Sequence, residues 1–216
     1  MTVSNTLQDA MRIPSAGDGA RIGLFGGSFN PPHEGHLNLC HLALKRLKLD
    51  QIWWMVTPGN PLKDVSTLPE LAERVALCRA MVRHPDIKIT AFEAAHRIRY
   101  TADTVAVLTR LRPRLKFVWL MGADNLANFH EWQDWWKIAH SLPIAVIDRP
   151  GSTLAYRSAR AALALSRYRV DEADASLLAD MKPPAWTFLH GPRSPLSSTW
   201  LRAQAEKNGS AGKKAR

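Results

Sequence analysis

Gly26-Gly27-Ser28-Phe29-Asn30-Pro31-Pro32-His33-Glu34-Gly35-His36-Leu37 follows the short apolar run Ile22 to Phe25 and leads into a helical period. Glycines directly after an apolar run let the backbone turn sharply or pass close to a ligand. Leu37, Cys40, Leu44 and Leu47 then recur at spacings of three and four, which puts them on one face of a helix. The stretch reads as strand, glycine turn, helix. The same alternation continues outward. Further apolar runs lie at 52–56 (IWWMV), 87–89 (IKI), 117–121 (FVWLM), 144–147 (IAVI) and 186–189 (WTFL). Helical periods fall between them, at Leu71–Val82 behind Pro69 and at Ala102–Leu111 before Pro113. Short buried strands alternating with helices predict an α/β fold, a doubly wound Rossmann-like parallel sheet in a single domain. Ligands of such sheets bind beyond the carboxyl ends of the strands, where strand order reverses. Functional residues are therefore expected after Phe25, Val56, Ile89, Met121 and Ile147.

The chain lacks both the GxGxxG and the GxxxxGK[ST] phosphate-binding patterns. His33 and His36 stand in their place at the mouth of the first helix, three residues apart and so on one side of it. Imidazole donors beside the N–H groups of a helix start suit a polyphosphate. Two other readings stay open at this point. The histidines could be structural, or His33, His36, Cys40 and His41 could ligate zinc, although Cys40 falls in phase with the apolar stripe. Near the other end, Ser197, Ser198 and Thr199 are helix-capping types placed before a helical turn, with Arg202 on the same face as Ser198 and Thr199. A guanidinium there can fork onto phosphate oxygens.

GGSFNPPHEGHL resembles the GxFxPxHxGH signature of the nucleotidyltransferase superfamily, carried here by Gly27, Phe29, Pro31, His33, Gly35 and His36 behind Gly26. Leu196 to Arg202 resembles the ISSTxIR motif of the same superfamily. Arg99-Tyr100-Thr101-Ala102-Asp103-Thr104 is similar to the SYTxDT stretch of bacterial nicotinate-nucleotide adenylyltransferases, with Arg99 where relatives carry a small residue. Gly122-Ala123-Asp124 followed by Phe129, Trp132, Trp135 and Trp136 resembles their GAD-to-tryptophan segment, and Arg149-Pro150-Gly151 their strand-ending turn. Lys63, in a GNPLK loop where relatives read PPHK, matches their loop lysine. The resemblance runs from about Arg21 to Arg202.

The resemblance implies AMP transfer from ATP to nicotinate mononucleotide, giving nicotinate adenine dinucleotide and pyrophosphate in NAD biosynthesis. It implies His33, His36, Arg202 and Lys63 as catalytic residues. Gly26, Gly27, Ser28, Phe29, Gly122, Asp124, Ser198 and Thr199 would join His33, His36 and Arg202 in binding ATP. Tyr100, Thr101, Asp103, Trp132 and Arg149 would bind nicotinate mononucleotide. Mg²⁺ is expected with ATP, held largely by phosphate oxygens and water rather than by a cage of protein carboxylates. The start of the helix near Ala102, with the Thr101 hydroxyl, suits a pyridine carboxylate better than a neutral amide.

The chain has 216 residues, 46% hydrophobic and 22% charged, which excludes collagen-like and fully disordered classes. Two cysteines, Cys40 and Cys78, cannot staple a secreted scaffold, and no apolar run is long enough for a membrane span. A cytoplasmic protein is expected. The net charge of +10 calls for an anionic partner, and phosphorylated metabolites satisfy it as well as nucleic acid does. An RNA-binding module is the rival reading, but no RNP-type aromatic motif accompanies the charge, so no nucleic-acid partner is expected. A homo-oligomer stays open. Residues 1–20 read as a flexible leader, 21–203 as the nucleotidyltransferase domain and 204–216 as a flexible basic tail.

Overall fold

Alternation along the strands divides the core in two. In the computed structural model, which describes residues 3–59, 68–148 and 158–191, six strands form one sheet: β1 (Arg21–Gly27), β2 (Gln51–Val56), β3 (Ile87–Thr90), β4 (Lys116–Gly122), β5 (Ile144–Ile147) and β6 (Trp186–Leu189). Their order is β3-β2-β1-β4-β5-β6 and every neighbouring pair is parallel. All six runs expected from the sequence are strands.

Ile22, Leu24, Trp53, Met55, Trp119, Met121, Ile144 and Val146 face one layer of helices. Phe25, Ile52, Trp54, Val56, Val118, Leu120, Ala145 and Ile147 face the other. Successive strand residues point to opposite faces, so near-continuous apolar runs are what a sheet covered on both sides requires. Gly23 shows how closely the layers meet, since a Cβ there would lie 2.7 Å from Leu120 and 2.8 Å from Leu49.

Two helices follow the central strands. α2 (Glu34–Leu47) crosses from β1 to β2 and α3 (Leu71–Met81) precedes β3. α2 places Glu34 in its first turn and Lys45 and Arg46 in its last, complementing its dipole, and ends on Lys48 in the left-handed region at φ 53°. On the other face run the short α4 (Phe92–Ala95), then α5 (Thr101–Leu111), α6 (Ala123–Asn128) and α7 (Trp135–Ser141). β1 feeds leftward to β2 while β4 continues rightward to β5. The reversal between β1 and β4 is the switch point where a doubly wound sheet opens a crevice.

The segment before Arg21 differs from the expected loose leader. Val3–Ala10 forms a helix, α1, and Ala10 is buried in the core beside α3. The Ala91 N–H donates to the Ala10 carbonyl at 2.7 Å, and the Thr90 hydroxyl bridges the Ala10 and Arg12 carbonyls at 3.0 and 2.9 Å. Further along, Gly19 N–H donates to Arg114 O and Lys116 N–H to Ala20 O, both at 2.9 Å. Backbone bonds formed only in the tertiary structure hold this stretch, and its local composition does not reveal them. The expected basic tail at 204–216 lies outside the described residues.

Candidate active site

At the end of β1 the chain leaves the sheet under tight constraint. A Cβ at Gly26 would lie 3.3 Å from the Trp119 ring, and one at Gly27 would lie 3.1 Å from the Phe29 ring. The Thr57 N–H, just past β2, donates to the Gly27 carbonyl at 3.0 Å. Phe29 turns back with φ 47°, which folds its ring beneath the loop. There it meets Trp54 at 4.6 Å, Phe25 at 5.4 Å and His36 at 5.0 Å between centroids. Phe29 is buried, so what it can offer a nucleotide is support for His36.

The two histidines do come together, by a route the spacing did not predict. His33 lies outside the helix, as the N-cap of α2 with extended backbone. Its ring nevertheless stacks on His36, 3.7 Å between centroids and 29° between planes. The His33 backbone N–H donates to His36 Nδ1 at 3.2 Å, and the His36 N–H donates to the His33 carbonyl at 2.8 Å. A ring nitrogen that accepts carries no proton, so the neutral His36 ring holds its proton on Nε2 as a donor. With relative exposures of 3% and 7%, the pair sits in a pocket that water barely reaches, where a donor aimed at developing charge is worth most.

Across the switch point, buried Gly122 ends β4 and caps α6, with exposed Asp124 in the first turn. Behind it Trp132 is half-buried, edge-on to Trp119 at 6.3 Å and to Phe129 at 5.4 Å. Phe129, fully buried, takes the core role in this aromatic group, while Trp136 is exposed. Tyr100, extended and half-buried, is the N-cap of α5, one residue earlier than expected. Thr101 opens the helix and Asp103 is exposed in its first turn, where it complements the dipole without capping. Lys63, Arg149, Ser197, Ser198, Thr199 and Arg202 lie outside the described residues.

Sequence reasoning passes over two buried charged residues beside the site, Arg74 and Glu93. Arg74, 1% exposed, lies inside α3 and spreads its guanidinium over backbone carbonyls. Nη1 donates to Ser28 O at 2.9 Å and Thr57 O at 2.8 Å, Nη2 to Pro58 O at 3.2 Å, and Nε to Pro69 O at 2.9 Å. Burial lowers its pKa from arginine's usual value, opposed by nearby Cys78 and Glu70. Burial likewise pushes the Cys78 thiol up to about 12, with Arg74 working against the shift. Glu93, 6% exposed on α4, accepts a hydrogen bond from the Thr104 hydroxyl at 2.6 Å beneath the start of α5. Burial raises its carboxyl to about 7, and the Thr104 bond only partly offsets this. A signal for both was present. Arg74 is in phase with Leu71 and Cys78, and Glu93 interrupts Phe92-Ala94-Ala95, so each is a charge on an apolar stripe.

The zinc reading fails on geometry. Cys40 is in the apolar core, whereas His41 is exposed on the other side and faces His84. Among the described residues no group of three or more His, Cys, Asp or Glu could hold a metal ion.

Stacked histidines at a helix start, placed at the switch point of a doubly wound sheet, fit a nucleotide-binding domain of the nucleotidyltransferase type. Residues 24–204 match the family model described as cytidylyltransferase-like. A curated relative from Mesorhizobium japonicum, named "Probable nicotinate-nucleotide adenylyltransferase", is 57% identical over 90% of this chain and 100% of its own length. One of the same name from Brucella suis is 60% identical over 84% of this chain and 93% of its own. In fold, the chain is similar to the Plasmodium falciparum nicotinic acid mononucleotide adenylyltransferase complexed with NaAD, with a TM-score of 0.65 and 18% identity over 85% of this chain and 83% of that one. The chain belongs to the cytidylyltransferase-like family, and within it to the nicotinate-nucleotide adenylyltransferases.

Proposed function

We propose that this chain transfers AMP from ATP to nicotinate mononucleotide, releasing pyrophosphate and forming nicotinate adenine dinucleotide. The observation that carries the proposal is the stacked His33–His36 pair, in which the His33 backbone N–H occupies His36 Nδ1 and leaves Nε2 as the ring's donor. In the reaction a phosphate oxygen of nicotinate mononucleotide attacks the α-phosphorus in line. The bond from that phosphorus to the oxygen bridging to the β-phosphate breaks, and its electrons leave with pyrophosphate. Little covalent work falls to the protein, so positioning and charge stabilisation dominate.

His36 Nε2 donates to phosphate oxygens as charge shifts between them, with His33 beside it. Gly26, Gly27 and Ser28 let ATP approach the backbone, while Phe29 supports the His36 ring. Gly122 and Asp124 face the nucleotide from the β4 side. Arg202, with Ser198 and Thr199, holds the β- and γ-phosphates, and Lys63 offsets charge near the reacting group. Tyr100 and Thr101 receive the pyridine carboxylate at the start of α5, Trp132 stacks on the ring, and Asp103 and Arg149 bound the same pocket. Mg²⁺ enters as part of the ATP substrate, on phosphate oxygens and water. Among the described residues no helix is long and apolar enough to cross a membrane. The cytoplasm, where thiols such as Cys40 and Cys78 stay reduced, fits this reading.

The test is pyrophosphate release with ATP and Mg²⁺, offering nicotinate and nicotinamide mononucleotides in parallel. Strong preference for the acid is expected. Equal rates would remove the carboxylate role of α5, and no release with either would remove the proposed reaction.

A further inference from the structure

Arg74 carries a full charge into the protein interior, and neutral carbonyls surround it. Taking a guanidinium out of water is costly, and an apolar side chain in its place would leave the Ser28, Thr57, Pro58 and Pro69 carbonyls without this donor. The placement of its donors shows what that cost supports. The Ser28 carbonyl belongs to the loop after β1, and the Thr57 and Pro58 carbonyls belong to the loop after β2. Nη1 bridges the two loops directly, while Nε is anchored to Pro69 at the entrance of α3, which sets the plane of the fork. A backbone bond from Thr57 N–H to Gly27 O also ties the end of β1 to the loop after β2. Ser28 immediately precedes Phe29, whose ring lies 5.0 Å from His36. A shift of the Ser28 carbonyl is therefore passed to the imidazole through one side chain.

We propose that Arg74 is a positioning residue for adenylyl transfer, pinning the loops after β1 and β2 so that His36 meets the ATP phosphates in register. This rests on the reaction proposed above. A lysine keeps the charge but concentrates its donors at one point, so it cannot span carbonyls set around a planar fork. Arg74 acts through the loops and does not itself touch the phosphates.

The experiment compares wild type, Arg74→Lys, His36→Ala and the double variant in steady-state pyrophosphate release, with thermal melts alongside. Arg74→Lys is expected to fold, and to lose tenfold to about a hundredfold in kcat/KM for ATP, the scale of a misplaced reacting group. The KM for nicotinate mononucleotide should stay within about twofold, because α5 and Trp132 lie off these loops, and a uniform loss would not show that split. In the double variant the losses should be far from additive, since Arg74 works through the residue already removed. Additive losses, or activity reduced only in proportion to the folded fraction, would overturn the proposal. If Arg74→Lys does not fold, Arg74→Gln replaces it with the same readings, and failure of both to fold would also overturn it, because Arg74 would then serve the whole fold. Wild type inactive with either mononucleotide would fail the reaction rather than this role. In that case calorimetric binding of a non-hydrolysable ATP analogue decides, with weakening of about tenfold expected in Arg74→Lys and unchanged affinity counting against it.

Discussion

The β1 exit and the start of α5, which the proposed reaction would use as its phosphate end and its ring end, are built differently. At β1 the parts are backbone and buried rings: Gly26 and Gly27 against Trp119 and Phe29, the stacked histidines, and an arginine tied to carbonyls of two loops. At α5 the parts are partly exposed side chains, Tyr100 and Thr101 at the helix start and Trp132 in the link between α6 and α7, with a buried carboxyl at Glu93 bonded to Thr104. In the proposed reaction the first end would hold donors still while charge moves between phosphate oxygens, and its parts are held from several sides. The second end would accept and release a ring, for which partly exposed side chains suffice.

The largest effect should come from the phosphate end. His36→Ala is expected to lower kcat by about 10² to 10³, the usual loss for one transition-state donor, with the fold retained in thermal melts. A loss within threefold would erase the contrast between the ends. Glu93 tests the other end through pH. Its carboxyl titrates near 7 in the folded chain and in the ordinary range near 4.5 when unfolded, so the folded state holds the extra proton between those values. Stability should therefore fall as pH rises through that window and bear the full cost above it, up to roughly 3 kcal/mol. Glu93→Gln keeps an acceptor for Thr104 and should melt higher than wild type at pH 8, with the gap closing by pH 5. A gap that does not change with pH would show that burial of the charge is not what Glu93 contributes.

A smaller change is expected at Trp132. Replacing it with leucine should raise the KM for nicotinate mononucleotide by about fivefold, the worth of roughly 1 kcal/mol of stacking, with kcat for saturated enzyme little changed. A fall in kcat with KM unmoved would transfer Trp132 to the phosphate end. The smallest effect belongs to the opposite, amino-terminal end of the central strands β1 and β4. There Asp180 pairs with Arg21 at 2.5 Å and Lys116 at 2.6 Å, and these partners hold its carboxyl below the usual range. All three groups are partly exposed, so Asp180→Asn should cost under about 1 kcal/mol in a melt and leave both KM values alone. Altered kinetics in that variant would mean that the two ends of the central strands communicate.

How much of this was legible depended on whether the cause was local. The six strands were, because burial on both faces leaves unbroken apolar runs. The turn that pairs the two histidines was too, because the glycines and histidines follow the first run. His33 was assigned to the helix because spacing alone cannot tell a cap from a first turn; its extended backbone puts it outside, and the ring returns by stacking. Residues 3–12 looked loose because their partners, Thr90 and Ala91, are some eighty residues away. Arg74 and Glu93 were passed over because the carbonyls and the hydroxyl that satisfy them come from other elements. Lys63, Arg149, Ser198, Thr199 and Arg202 rest on motif resemblance alone.

The chain's two cysteines are both buried and neither is in a disulfide. Burial holds the Cys78 thiol so far above neutral pH that almost no thiolate exists to react while the fold is closed. Labelling by an aromatic disulfide reagent at neutral pH must then wait for the chain to open. Its rate becomes a clock for opening, read in solution without probe or tag. With Cys40 on the α2 side and Cys78 on α3, two labelling phases would time the release of the two helices separately.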